Sequence, residues 1–570
     1  MPLRFLEPDG FVVKKARSLK ERFQDATTCL HRDKDEHGCE TSSAAGSETG
    51  CDPGCGTLLR EALRKVDRGA RRAVQKLYLK TCGNKKKYER EPEKASLEQL
   101  ALIRSASSTE VFPSPPSYKS YESSENEEER IWGPILTIPQ ESFLDLALKH
   151  GPIGDFDEDG NFKAVTAQWI KQMSGSNNLV TIIEYSNGKR VAIKVPACGW
   201  HNKWMKADQE AMRIQVNTMK YMKEKAGVPI PDIIAWNPTL TSKFGHPYII
   251  MECLEGEPVC WAWFDDSRGH MSLEDKRRNI LRSISQNISK LHALSFDKIG
   301  SLYFDKEDET PTVGPNIDVW PGMAERSEKY LNQDFDWFLE PPSESSQTFF
   351  REQLEGWHQA AIADWPSLES ENQMARIHGM YKLFSVILDY FPYSKLTTKH
   401  DSGPETFVLT PPDFDWQNIM VDDDGNVTGF IDWDRVSTMP RYLGWAGAPQ
   451  FLIRNYYHDY EWPRRDGLAA LSPAEHTHYQ KLYTRYMEDA CRNLGDDVQD
   501  WKFTSKSHLI DNLAEAIGCD EMMEDTLWKV LDNIAPWCKK WKFIRDIGMC
   551  GWADGQEEWC RDGLRKLLAC

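Results

Sequence analysis

Apolar and polar residues alternate differently along three stretches of the chain. Leu59, Leu63, Val66, Ala70, Ala73, Val74 and Leu77 recur at three- and four-residue steps, which predicts an amphipathic helix over 58–80. Apolar runs rich in β-branched residues over 179–185, 190–195 and 248–253 predict strands and make 164–255 sheet-dominated. Helical periodicity returns over 270–400 and 470–570. A small sheet-rich unit followed by a larger helical one is an α+β, two-lobed plan. Within the second unit, 419–421 and 427–431 are short apolar strands around an Asp-Gly-Asn turn, a hairpin by its turn chemistry.

The segments between these patterns set the domain plan. Residues 32–57 are Asp-, Glu-, Gly- and Ser-rich, and 105–129 are dominated by Ser, Pro and Glu, the composition of a linker. The plan is therefore a largely disordered extension over 1–130, an N-lobe over 131–254 and a C-lobe over 255–570. No stretch of 18 apolar residues occurs, so no transmembrane segment is expected.

Composition narrows the partners. The 570 residues carry a net charge of −18, which argues against nucleic-acid binding, since that needs a clustered positive field. Residues 60–94 are the exception, with thirteen Lys and Arg against five Asp and Glu. The basic helix within them reads either as a solvated helix packed on a neighbour or as a docking element for a partner or membrane surface. Fourteen scattered Cys read as reduced thiols in the cytoplasm, with a mitochondrial location left open. Cys29, His31, His37, Cys39, Cys51 and Cys55 lack the paired spacing of zinc ligands. Asp155, Asp157, Asp159 and Gly160 imitate a calcium loop, but its twelfth position is Thr166, so an ordinary turn is expected.

The chemistry concentrates around the predicted hairpin. Asp413 and Asn418 lie in the loop entering its first strand, and Asp432 sits where the second strand ends. Two carboxylates and an amide brought together suit phosphoryl transfer: one carboxylate orients a hydroxyl and accepts its proton, while an amide oxygen and a second carboxylate hold Mg²⁺. By spacing alone, an acidic hairpin without function remains the competing reading.

The run Asp413-x₄-Asn418 followed by Ile431-Asp432-Trp433-Asp434 resembles the catalytic segment of the aminoglycoside phosphotransferase/choline kinase family, and especially its fungal-type members. Upstream landmarks follow in the family's order. The resemblance implies a two-lobed protein-kinase-like fold and an ATP- and Mg²⁺-dependent transfer to a hydroxyl of a small molecule: an amine, a choline-like or a sugar-like acceptor. It implies that Asp413 is the base and that Asn418 and Asp432 are metal ligands. It further implies that Lys194 is the phosphate clamp and that Ser174, Gly175, Ser176 and Asn177 form the loop over the phosphates. Glu252 and Leu254 would hold adenine through their backbone.

Two departures stand out. Pro411 and Pro412 replace the family's His-Gly before the catalytic Asp, and Gln215 stands where a helix Glu should pair with Lys194, with Glu210 as the substitute. Both leave open a nucleotide-binding or scaffolding pseudoenzyme. A protein kinase is disfavoured, since no Asp-Phe-Gly or Ala-Pro-Glu segment is present. Trp416, Trp433 and Trp445 near the site suit either a cationic ligand or a core.

Overall fold

The computed structural model describes residues 131–570 apart from 153, 157–161, 306–309, 320–325, 327, 364–370, 393–403, 458–459, 465–468, 496–497, 518–519 and 570. The expected extension, its basic helix over 58–80 and the cysteine and histidine cluster between 29 and 55 lie outside the described residues.

Alternation builds the first lobe. Helix α1 (Gln140–His150) covers one face of an antiparallel sheet. The strands are β1 (Ala167–Ser174), β2 (Asn178–Tyr185) and β3 (Arg190–Pro196), then, after helix α2 (Lys206–Ala226), β4 (Ile233–Asn237) and β5 (Tyr248–Glu252). Their spatial order is β1-β2-β3-β5-β4. Val191, Ile193 and Val195 pack with Phe143 and Leu146 of α1. The period of two therefore turns Ala192 and Lys194 to the opposite face, where both line a cleft.

Helix α2 ends at Gly227, whose φ of +65° favours a residue without Cβ. Its other end is pinned by a sealed ion pair. Arg326 Nη1 and Nη2 reach Asp208 Oδ2 and Oδ1 at 2.5 and 2.6 Å, and Asp208 Oδ2 also accepts the Met205 N–H at 2.8 Å.

In the second lobe β6 (Glu257–Pro258) precedes helices α3 (Leu273–Ile288), α4 (Ser346–Ala363) and α5 (Glu371–Leu388). Strands β7 (Phe407–Thr410), β8 (Ile419–Val421), β9 (Val427–Phe430) and β10 (Ser437–Pro440) follow. Helices α6 (Pro473–Leu494), α7 (Ser507–Ala516), α8 (Asp520–Ile534), α9 (Lys540–Cys550) and α10 (Gln556–Leu568) complete it. The lobe has two cores. One buries Ile280 and Ile284 of α3 against Ile419, Val421, Phe430 and Trp433; the other joins α4, α5 and α7–α10 through residues such as Phe384, Ile510 and Leu531. Helices α5 and α9 cross with almost no gap: a Cβ on Gly379 would lie 1.8 Å from the Ile544 carbonyl oxygen, and one on Gly548 1.6 Å from that of Ala375.

The predicted hairpin forms as β8 and β9, with Ile419 opposite Phe430 and Gly425 at φ +82° in its turn. The stretch 270–400 is less helical than its periodicity suggests. It includes the short strands Ser301–Tyr303, Thr312–Gly314, Asn316–Ile317 and Leu339–Glu340, too brief to leave a period-two signal. Strands Gly154–Phe156 and Phe162–Ala164, paired antiparallel, flank the calcium-loop imitation in place of a helix pair. Among the described residues no helix is long and apolar enough to cross a membrane.

Candidate functional site

A cleft of about 2870 Å³ lies between the lobes, lined by Ser174–Asn178, Lys194 and Gln215 on one side and by Asp413, Asn418, Asp432 and Asp434 on the other. Two small antiparallel sheets build its floor. β7 pairs with β10 from Phe407 opposite Pro440 to Thr410 opposite Ser437, and β8 pairs with both β9 and β6. The backbone of Ile431 donates to the Asn418 carbonyl at 2.9 Å, so the end of β9 is fastened beside the loop that enters β8. That bond brings together residues 13 positions apart in the chain.

The segment after β9 is shaped by a buried ring. Trp433 is 1% exposed and its Nε1 donates to the Phe430 carbonyl at 3.0 Å. The turn around it puts Asp432 at φ +64° and Arg435 at φ +68°, left-handed conformations that cost a non-glycine residue of order 1 kcal/mol. Both carboxylates consequently face Lys194. Its Nζ lies 2.8 Å from Asp432 Oδ1 and 2.5 Å from Asp434 Oδ1. Asp434 collects two further donors, Gln215 Nε2 at 2.6 Å and Asn178 Nδ2 at 3.0 Å. One cation, two carboxylates and two amides thus tie β2, β3 and α2 of the first lobe to the turn after β9 in the second.

The charges settle unequally. Burial alone would lower the Lys194 pKa, but the fields and hydrogen bonds of Asp432 and Asp434 outweigh it, and the ammonium is held above its ordinary range. Burial also opposes ionisation of Asp434. The Lys194 charge and the donors from Lys194, Asn178 and Gln215 overcome it and hold this carboxyl below the usual range. Asp432 lacks the amide donors, so burial and the charge of Asp434 push it up despite Lys194. Its side chain is also the most open of the three, 40% exposed against 19% for Asp434 and 10% for Lys194.

Asn418 is aimed by its amide nitrogen, which donates at 3.0 Å both to the Asp413 carbonyl and to Asp413 Oδ2. Gln417 Nε2 adds a donor to the same Oδ2 at 3.2 Å. With its NH₂ committed, Asn418 directs its oxygen away from Asp413. That oxygen and the exposed carboxylate of Asp432 are hard donors of the kind Mg²⁺ takes, alongside phosphate oxygens. Among the described residues no group of three or more His, Cys, Asp or Glu side chains gathers into a metal cage. Two protein ligands fit an ion that arrives with a phosphorylated ligand better than one held by the protein alone.

The other sequence candidates fall into place unevenly. Ser174, Gly175, Ser176 and Asn177 line the cleft where β1 turns into β2, and Gly175 N–H donates to the Asn178 carbonyl at 2.9 Å. A Cβ on Gly175 would meet only that carbonyl oxygen, at 3.5 Å, so this turn does not require glycine. Glu252 and Leu254 also line the cleft. The Glu252 carboxylate faces outward to Lys223, 3.6 Å away, and among the described residues the Leu254 N–H donates to no backbone acceptor.

Between the two candidates for Lys194's helix partner, geometry selects Gln215, which reaches the lysine through Asp434. Glu210, five residues earlier, pairs with Arg213 at 3.4 Å on another face of α2. Trp433 and Trp445 are core residues at 1% and 0% exposure, and Trp416 is sandwiched between Phe451 and Arg454, so none offers an open ring to a cation.

Three contacts escaped the sequence reading. Asp434 was legible as the last residue of Ile431-Asp-Trp-Asp434, but its link to Gln215 and Asn178 depends on lobe packing. The buried Asp415, whose partner is Arg454, had only its acidity as a signal.

With this geometry in place, residues 174–443 match the model of the phosphotransferase enzyme family. Curated relatives bear the name altered inheritance of mitochondria protein 9, mitochondrial. That of Meyerozyma guilliermondii is 28% identical over 149 residues, 26% of this chain and 23% of the relative. That of Saccharomyces cerevisiae is 24% identical over 323 residues, 48% of this chain and 49% of the relative. The chain spans about half the length, or less, of the curated relatives it matches. Among solved structures, the macrolide 2′-phosphotransferase of Brachybacterium faecium is 13% identical, with a TM-score of 0.33 over 73% of this chain and 99% of that one.

Proposed function

We propose that the cleft binds ATP and transfers its γ-phosphoryl group to a hydroxyl of a small molecule, with 131–254 as the nucleotide-binding lobe and 255–570 as the lobe that receives the acceptor. The observation carrying this reading is the convergence of Lys194, Asp432 and Asp434 across the lobes beside the Asp413–Asn418 loop. In the reaction the acceptor oxygen bonds to the γ-phosphorus as the bond to the bridging oxygen of ADP breaks, and the hydroxyl proton passes to Asp413. Asn418 and Asp432 are the residues that would hold Mg²⁺, which supplies charge neutralisation at the phosphates. Lys194 turns from Asp432 toward the phosphates while Asp434, fixed by Gln215 and Asn178, keeps hold of it. Ser174–Asn177 cover the phosphates, and the backbone at Glu252 and Leu254 faces adenine.

Gln215 in place of a helix carboxylate does not remove the lysine's partner in this arrangement, because Asp434 takes that role. A non-catalytic, nucleotide-binding reading rests on Pro411 and on the direct hold of Lys194 on Asp432. The acceptor is read as an amine, a choline-like or a sugar-like hydroxyl compound. The relatives' names favour a mitochondrial over a cytoplasmic setting.

Asp432→Asn tests the function. Wild type should bind Mg·ATP, and the variant should lose the Mg²⁺-dependent part of that binding by about a hundredfold, as expected for removing a charged metal ligand. Equal Mg·ATP binding by both proteins removes Asp432 as a ligand. ATP consumption by wild type that Asp413→Ala abolishes separates the enzyme from the non-catalytic reading.

A further inference from the structure

We propose that the corner formed by α8, α9 and α10 docks on an anionic lipid surface. Soluble domains seldom leave tryptophan uncovered, yet here Trp537 is 75% exposed, Trp541 50% and Trp528 38%. Basic side chains lie over two of these rings and a fourth tryptophan meets the third. Lys540 Nζ lies over the Trp528 ring at 5.9 Å, Arg545 lies over Trp541 at 5.1 Å, and Trp537 meets Trp559 of α10 at 5.5 Å between ring centroids. Trp537 sits in the short connection between α8 and α9, and Trp528 and Trp541 lie on the two helices that it joins.

Charge identifies the occupant. Residues 528–546 carry Lys529, Lys539, Lys540, Lys542 and Arg545 against Asp532 and Asp546, which pair with Lys540 and Arg545, and the segment stays net positive in a chain whose net charge is −18. Lys539 and Lys542 are exposed beside Trp537 and Trp541. Exposed indole rings flanked by lysines match the interfacial region of a bilayer, where the rings enter the headgroup layer and the ammonium groups meet lipid phosphates. Screening over roughly 8 Å at physiological salt lets these local charges act on a surface they touch while the distant acidic surplus is damped. A protein partner would have to cover several exposed rings, which calls for a matching cavity on its side.

The test uses the full chain and vesicles of phosphatidylcholine with or without roughly a third phosphatidylserine, read by co-sedimentation. Wild type should bind the anionic vesicles and leave the neutral ones. Trp537→Ala with Trp541→Ala, and separately Lys539→Glu with Lys542→Glu, should each weaken binding about tenfold or more, with thermal unfolding unchanged. The proposal is overturned by wild-type binding in either double variant, which would assign the interaction to residues outside this corner, such as the basic segment over 60–94. Equal binding to neutral vesicles, absence of vesicle binding, or a loss confined to self-association would overturn it too.

Discussion

Two of the ion-paired groups among the described residues, one at the end of α2 and one at the cleft, are built on opposite plans. Arg326 and Asp208 form a closed unit with 1% and 0% side-chain exposure, one charge of each sign and two parallel hydrogen bonds. Lys194 faces two carboxylates, one of them open to the cleft. The first arrangement is electrically complete and pins α2. The second holds one negative charge too many, and its surplus sits on Asp432, the group best placed to take another cation. Completeness marks the scaffold here, and incompleteness marks the site.

The largest effect should come from breaking the complete pair. Asp208→Ala strands a buried guanidinium and should cost about 3–5 kcal/mol in denaturant unfolding. Asp208→Leu combined with Arg326→Met should recover most of that loss, because a well-packed apolar replacement removes both charges together. A small loss from the single variant would mean the pair is less sealed than its geometry.

An acid titration sharpens the contrast, provided the imidazoles lowered by burial, His150, His358, His476 and His508, are accounted for. Burial, with the charge of Lys506, lowers the His508 imidazole from 6.5 to about 4. The unfolded chain therefore binds its proton first, so stability is complete above about pH 6.5 and falls as the pH drops toward 4. The loss is roughly 3 kcal/mol. His508→Asn should flatten that part of the profile when unfolding is followed against pH. An unchanged slope would place the titration elsewhere.

Asp434→Ala should weaken nucleotide binding about tenfold, and the same change in a Lys194→Ala background should add little, since residues acting as one unit are not additive. Equal losses in both backgrounds would deny that Asp434 works through the lysine. The smallest effect belongs to Glu210→Gln. An exposed pair with Arg213 contributes at most about 0.5 kcal/mol, and nucleotide binding should not move. A binding defect there would return Glu210 to the site.

The contrast also explains what sequence alone could disclose. The strands around Lys194 and the hairpin below Asp432 follow local rules, alternation and turn chemistry, so their positions were readable within a residue or two. Asp413 and Asn418 shared that advantage, because five residues and one loop relate them. Asp434 with Gln215 and Asn178 joins positions 219 and 256 residues apart, and Arg326 with Asp208 spans 118. No periodicity encodes such encounters, which exist only once the lobes meet. The choice between Glu210 and Gln215 turned on the rotation of α2 about its axis, a quantity fixed by Met212, Val216 and Met219 finding their neighbours.

The crossing at Gly379 and Gly548 has a mechanical consequence. Backbones pressed so close leave no soft side chains between α5 and α9, so the crossing behaves as a weld. Helix α9 carries Trp541, and α5 belongs to the same lobe as Asp413 and Asp432. A contact made at the tryptophan corner is therefore transmitted as orientation: whatever surface receives those rings also sets the direction in which the mouth of the cleft opens.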